Sequence, residues 1–196
     1  MEKINFIKTF IPQGDFREKY EHGGMMVRHL AAVLDEKMGA YECYECTVPI
    51  GEYDEGEIQK AFVEFSVKMD ALKLKQAKVD KIAEIAAYDT SSSVNGFVLN
   101  GLLVWLDKAT RVGLMNSTTI AKAAGKQTTT LWLGGLKLVV DCDKAIQLLS
   151  ALEMYALECF NVTESHKQAV SELTTIEEVE AYDHKSGYPK MLEMSV

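Results

Sequence analysis

Only three prolines interrupt the 196 residues, too few for a linker-rich or disordered chain. Four cysteines (Cys43, Cys46, Cys142, Cys159) are too sparse to staple a chain of this length, so a reducing compartment is expected. No stretch approaches the roughly 18 apolar residues needed to cross a bilayer, which excludes a helical membrane span. The opening residues Met1 to Lys8 carry charges where a secretory leader needs an apolar core, so no leader is expected. Excess positive charge is missing too: 21 Lys and Arg stand against 29 Asp and Glu, a net charge of -8. That balance argues against nonspecific nucleic-acid binding, which needs clustered cations, and favours solubility.

What is present divides the chain into three stretches: a small N-terminal α/β region (residues 1–54), a long helix (55–89) and a C-terminal α+β domain (90–196). In the first, residues 4–11 read as a strand. Residues 16–38 read as a helix, because Met26, Leu30, Val33, Leu34 and Met38 recur at helical spacing and Gly39 is placed to end it. Residues 41–50 read as a strand whose Pro49 suits an edge.

The second stretch carries the clearest pattern. After Gly56 nothing breaks a helix up to Tyr88, and Ile58, Phe62, Phe65, Met69, Leu72, Gln76, Val79, Ala83 and Ala86 are spaced 4-3-4-3. That spacing averages 3.5 residues, the repeat of a coiled-coil seam. A second copy and the chain's own flanking regions are the two candidate partners of the stripe. Lys68 and Lys73 would repel in a parallel pairing of copies, while Lys75 and Asp80 would attract, and Gln76 has the character of a register-setting polar residue. Both partners stay open, and in either case the interface is expected to involve Ile58, Phe62, Phe65, Met69, Leu72, Gln76 and Val79, as a homo-oligomer seam where copies pair.

The third stretch begins after the breaker cluster 89–93. Residues 94–99 and 102–106 flank Asn100-Gly101, the pair favoured where both turn residues need positive φ. Asp107 is placed to cap a helix ending before Gly125. A second hairpin, 129–133 with 136–140, turns at Gly134-Gly135. Asp141 or Asp143 then caps a helix apolar on most sides and so expected to be buried. A short helix is expected from Thr163, and Thr174 with Glu177 offers a capping box for the last one. The fold class is α+β: a long heptad-patterned helix joining a small N-terminal region to two β-hairpins packed with helices.

Chemistry finds little to hold. Cys43-x-x-Cys46 lies in a strand, where positions three apart point to opposite faces, and Glu42 and Glu45 would raise thiol pKa values. His22, His29, His166 and His184 lie far apart, with no nucleophile elbow near them. The acidic run 52–57 lacks the alternating ligands of a calcium loop and suits a helix N-terminus instead. Gly125-Lys126-Gln127-Thr128 follows a helix rather than a strand, the wrong order for a phosphate loop. No catalytic residue, metal or cofactor is expected. Trp105 and Trp132 occupy corresponding places in the two hairpins and are expected to serve as core or interface anchors.

The segments Ala87-Tyr88-Asp89-Thr90-Ser91-Ser92-Ser93-Val94-Asn95-Gly96-Phe97 and Trp105-Leu106-Asp107-Lys108-Ala109-Thr110-Arg111, with Thr130-Leu131-Trp132, Ala151 to Ala156 and Thr175 to Asp183, resemble a domain family of unknown function found in tail-region proteins of tailed phages and prophages. The resemblance covers a little over half the chain and brings no catalytic residues with it. It implies a tail context, with other tail proteins as partners and synthesis in the host cytoplasm before any place in the virion tail. Neither nucleic acid nor membrane is expected as a partner, from the charge balance and the lack of long apolar runs. The expected role is a non-enzymatic structural or assembly protein, baseplate- or fibre-associated, presenting Trp105 to a partner. A fibre-assembly chaperone or host-directed binding protein is the alternative, and a small envelope-acting hydrolase is the rival of another class.

Overall fold

The computed structural model describes residues 4–11, 16–19, 24–35 and 40–196. It is a mixed α+β structure divided into two compact units, residues 1–73 and 74–196. The division falls inside the long helix α1 (Glu55–Asp89), which gives its first part to one unit and its second to the other.

The first unit is an antiparallel sheet of β1 (Ile7–Ile11), β2 (Phe16–Lys19), β3 (Gly24–Asp35) and β4 (Ala40–Pro49), ordered β1-β4-β3-β2. The helix expected over 16–38 is therefore two strands; Met38 and Gly39 lie outside the described residues, as does His22. The reason lies in β3, whose register slips between Leu30 and Ala32 and again between Val33 and Asp35. Each bulge adds a residue to one side of the ladder, so the apolar spacing stretches from two towards three and four and imitates a helix. Pro49 sits on an inner strand rather than an edge. β1 pairs β4 only as far as Glu45, however, so the last residues of β4 pair with β3 alone and tolerate the missing donor.

One face of this sheet carries Phe6, Val27, Tyr44, Cys46 and Val48, and Ile58 of α1 is buried against them. Phe62, Phe65 and Met69 pack on the same cluster, with the Phe65 ring edge-on to Tyr44 at 5.0 Å between centroids. Buried Glu42 is met by two lysines: Lys8 Nζ lies 2.7 Å from Oε2, and Lys73 Nζ stands 3.1 Å from Oε1, near enough for charge attraction without hydrogen-bond alignment. Burial pushes the Glu42 carboxyl up, but the two cations outweigh it and hold the group below its ordinary value.

The second unit is ordered around α4 (Cys142–Glu172). A one-turn helix α2 (Ser92–Asn95) leads into β5 (Gly96–Leu99), which turns at Asn100-Gly101 into β6 (Leu102–Trp105). Both turn residues have positive φ, 50° and 82°. Gly96 is required for a different reason: a Cβ there would stand 2.2 Å from the Ser92 carbonyl oxygen. Helix α3 (Lys108–Ala123) is capped by Asp107, β7 (Thr128–Leu133) and β8 (Leu136–Asp141) form the second hairpin, and Asp141 caps α4. Phe97, Leu99, Val104, Leu131, Leu133, Val140, Leu149 and Leu152 close the core between these elements.

Three features depart from expectation. Helix α4 runs unbroken through Thr163, whose buried hydroxyl bonds across to Asp89 instead of starting a new helix. The capping box of α5 (Ile176–Ala181) uses Thr175 and Glu178, one residue later than the Thr174–Glu177 pair. A last strand, β9 (Leu192–Met194), lies parallel to β5 and makes it the centre of a three-stranded sheet, β6-β5-β9. The Asn100 N–H donates to the Met194 carbonyl, and Val196 N–H donates to the Asn100 side chain.

Candidate functional site

The cysteine pair supports no site. Cys43 and Cys46 are both buried on opposite faces of β4, and burial first, with Glu45 adding to it, pushes the Cys46 thiol up to about 11. A thiol held protonated is neither a ready nucleophile nor a metal ligand. Among the described residues no group of three His, Cys, Asp or Glu is placed to hold a metal ion, and no helix is long and apolar enough to cross a membrane.

The expected seam residues separate into two groups. Ile58 is buried, and Phe62, Phe65 and Met69 are partly buried, all within the first unit. Leu72, Gln76 and Val79 are exposed, as is Ala83, and the Gln76 amide donates to Asp80 on its own helix at 2.8 Å. In the second unit α1 turns a different set inward: Leu74, Ala77 and Ile82 pack around buried Ile85, against Val170 and Val179.

Trp105 is 39% exposed and borders a hollow of about 370 Å³ in the second unit. The wall comes from the end of α1, the link after it and α2 (Asp89, Thr90, Asn95), the end of β6 and start of α3 (Trp105 to Lys108, Arg111), and the middle of α4 (Glu153, Ala156, Leu157, Phe160). Two of the segments quoted above, 87–97 and 105–111, thus supply eight of its twelve lining residues. Trp132, its counterpart in the other hairpin, is exposed and stands elsewhere, with the Lys137 ammonium 5.9 Å from its ring.

Four of the charged groups of the hollow already have partners, while Lys108 is exposed. Arg111 is only 8% exposed; its Nε donates to Glu153 Oε1 at 2.9 Å and its Nη1 to the Leu106 carbonyl at 2.8 Å. Asp107 accepts from Thr110 N–H and Thr110 Oγ1, bonds that hold its carboxyl below the ordinary aspartate value. Asp89 accepts from Thr163 Oγ1 at 2.8 Å; because that hydroxyl has one proton, the Tyr188 phenol 3.0 Å away must donate to it. What remains turned outward is largely apolar: Trp105, Leu157 and Phe160 at the hollow, with Leu102, Leu103 and Met154 exposed on the same elements. The expectation that α4 is buried all round is therefore corrected. A helix apolar on most sides is not necessarily enclosed; three of its large side chains face solvent.

Asp89, Arg111 and Glu153 were not singled out by sequence reasoning. Arg111 lies one turn past the Asp107 cap, and an arginine there looks like any solvated helix residue until Glu153, 42 positions on, is brought to it.

Residues 76–184, more than half of the chain, match the family model described as a domain of unknown function, DUF4376. No curated protein and no solved structure matches the chain.

Proposed function

For a chain that belongs to the DUF4376 family, we propose a role in contact rather than chemistry: a structural or assembly protein of a phage or prophage tail, associated with baseplate or fibre, that docks another tail protein at Trp105. One observation carries this. At the hollow, the polar side chains Arg111, Glu153, Asp107 and Asp89 are held by partners within the chain, while Trp105, Leu157 and Phe160 are left to solvent. Grouped exposed apolar side chains of this size are the usual mark of a binding surface, and tryptophan is the residue most enriched among interface hot spots. The tail context comes from the resemblance of segments 87–97 and 105–111, which line that hollow.

Self-association through α1 belongs to the same proposal, and falls to the seam residues left exposed, Leu72, Gln76 and Val79.

The test is the composition of purified particles by quantitative mass spectrometry. The native chain is expected at a fixed copy number per tail. Trp105→Ala, which trims a half-exposed side chain and leaves the core intact, is expected to lower its incorporation at least tenfold, on the order of 2 kcal/mol at a hot spot. A native chain absent from finished particles yet required for their assembly would make it a chaperone; absence with no assembly defect would make it a host-directed factor.

A further inference from the structure

The strand that ends at Trp105 is an open edge. In the order β6-β5-β9 the central strand uses both its sides, whereas among the described residues β6 has a neighbour on one. The two-residue turn makes Leu99 and Leu102 a hydrogen-bonded pair, and such pairs alternate along an antiparallel ladder. Phe97 and Val104 are therefore the next bonded pair, while Leu103 and Trp105 point their N–H and C=O groups away from β5. The Asn100 N–H reaching Met194 on the far side of β5 fixes the same alternation. Edges are ordinarily blunted by lysine, proline or a bulge. Leu102–Trp105 contains none of these, and Leu103 is 61% exposed.

We propose that the β6 edge receives an extended strand from a partner polypeptide of different sequence, which sets apolar side chains against Leu103 and Trp105 and a lysine or arginine beside Asp107 and Glu153. This rests on the contact reading above and names the form of the partner. Unpaired main-chain donors and acceptors in a row are complemented by another extended backbone. The hollow where β6 ends is lined by three carboxylates, Asp89, Asp107 and Glu153, against two cations, Lys108 and Arg111, so a basic residue is favoured there over an acidic one. A second copy answers that charge poorly. Two β6 strands paired about a two-fold axis would bring the uncharged Asn100-Gly101 turn of one copy to the Asp107 end of the other, and the one charged side chain in the sheet, Glu193, has the wrong sign.

The experiment uses the full chain, isotopically labelled, and a capped hexapeptide probe, acetyl-Val-Thr-Val-Thr-Val-Lys-amide, followed by amide chemical shifts. Saturable shifts are expected at Leu103, Trp105 and the Trp105 indole. Replacing the lysine of the probe by glutamate is expected to weaken binding about fivefold. Methylating the probe's alternate amide nitrogens on one edge is expected to abolish binding, and on the other edge to leave it. Leu103→Pro removes an N–H that serves no bond inside the hairpin, so it is expected to keep the fold and bind about tenfold more weakly. No shift at β6 with millimolar probe, indifference to which edge is methylated, or equal binding by a folded Leu103→Pro chain overturns the proposal. So does a dimer in light scattering that Leu103→Pro dissociates, since the edge would then belong to a second copy. If the probe fails while Trp105→Ala is still lost from particles, the docking site stands and only its strand form falls; probe binding without any effect of Trp105→Ala on particles is the converse.

Discussion

The residues that organise the second unit are polar ones placed where the apolar pattern gives no hint of them. Thr163 occupies a helical position inside α4, yet its hydroxyl ties Asp89 at the end of α1 to Tyr188 in the C-terminal segment. His184 shows the same logic at higher cost. It is 3% exposed, its ring stands edge-on to Tyr88, and its Nε2 has no hydrogen-bond partner among the described residues, with Glu84 Oε1 3.9 Å away. Burial holds its pKa below the ordinary 6.5; Glu84 pulls the other way, and Lys81, Lys185 and His166 reinforce the burial. The sign follows directly. As pH falls through 6.5 the unfolded chain takes up the proton before the folded one, so stability drops on acidification from that point until the folded-state pKa is passed, and well above pH 6.5 His184 contributes nothing to the pH dependence. His184→Phe, which keeps an aromatic ring against Tyr88, is expected to lose less melting temperature than the native chain between pH 7 and pH 5.5. Equal losses in the two proteins would assign the acid sensitivity to other groups.

At the scale of elements, the sequence speaks clearly where a local rule decides and poorly where distant packing does. Asn100-Gly101, the Asp107 cap and Gly134-Gly135 are each decided within a few residues, and the hairpins and α3 were legible from them. The β2 and β3 strands were not, because bulges in β3 disguised a period of two. Strand β9 escaped because it is three residues long and its partner lies far away in the chain. The heptad seam is the instructive intermediate. Its helix is real, but Ile58, Phe62, Phe65 and Met69 face their own sheet, while Leu72, Gln76 and Val79 stay exposed. Periodicity shows where a stripe lies, not how much of it is covered or by what. Phe65→Asp is accordingly expected to destabilise the first unit by about 3 kcal/mol, read as an earlier urea midpoint. Val79→Asp is expected to leave that midpoint unchanged and, where the exposed seam pairs two copies, to lower the solution mass in light scattering. A mass unchanged by Val79→Asp removes the seam from the account.

For the whole molecule, the boundaries suggested by the sequence fell at the ends of α1, since Gly56 and the 89–93 cluster mark where an element starts and stops. The compact units divide within it, between Lys73 and Leu74, because burial rather than helix continuity decides what belongs together. Lys73 pairs with Glu42 in the first unit; Leu74 packs with Ile82 and Ile85 in the second. A fragment of residues 74–196 is therefore expected to fold alone, with a dispersed amide spectrum matching the second-unit signals of the full chain. A collapsed, poorly dispersed spectrum would mean that this unit depends on the first. The candidate site was half legible: Trp105 was singled out from the sequence, while the Arg111–Glu153 pair and the exposed face of α4 depend on contacts no short window contains.

The parallel pairing of β9 with β5 also has a consequence for synthesis. On the ribosome, β5 and β6 emerge about ninety residues before the strand that completes their sheet. At about 5–20 residues per second that is an interval of roughly 5–20 s in which both edges of a short, uncharged, apolar hairpin are available at once. During that interval a nascent chain has a sticky side that the finished protein has covered, and any helper that shields it has to act before β9 pairs with β5.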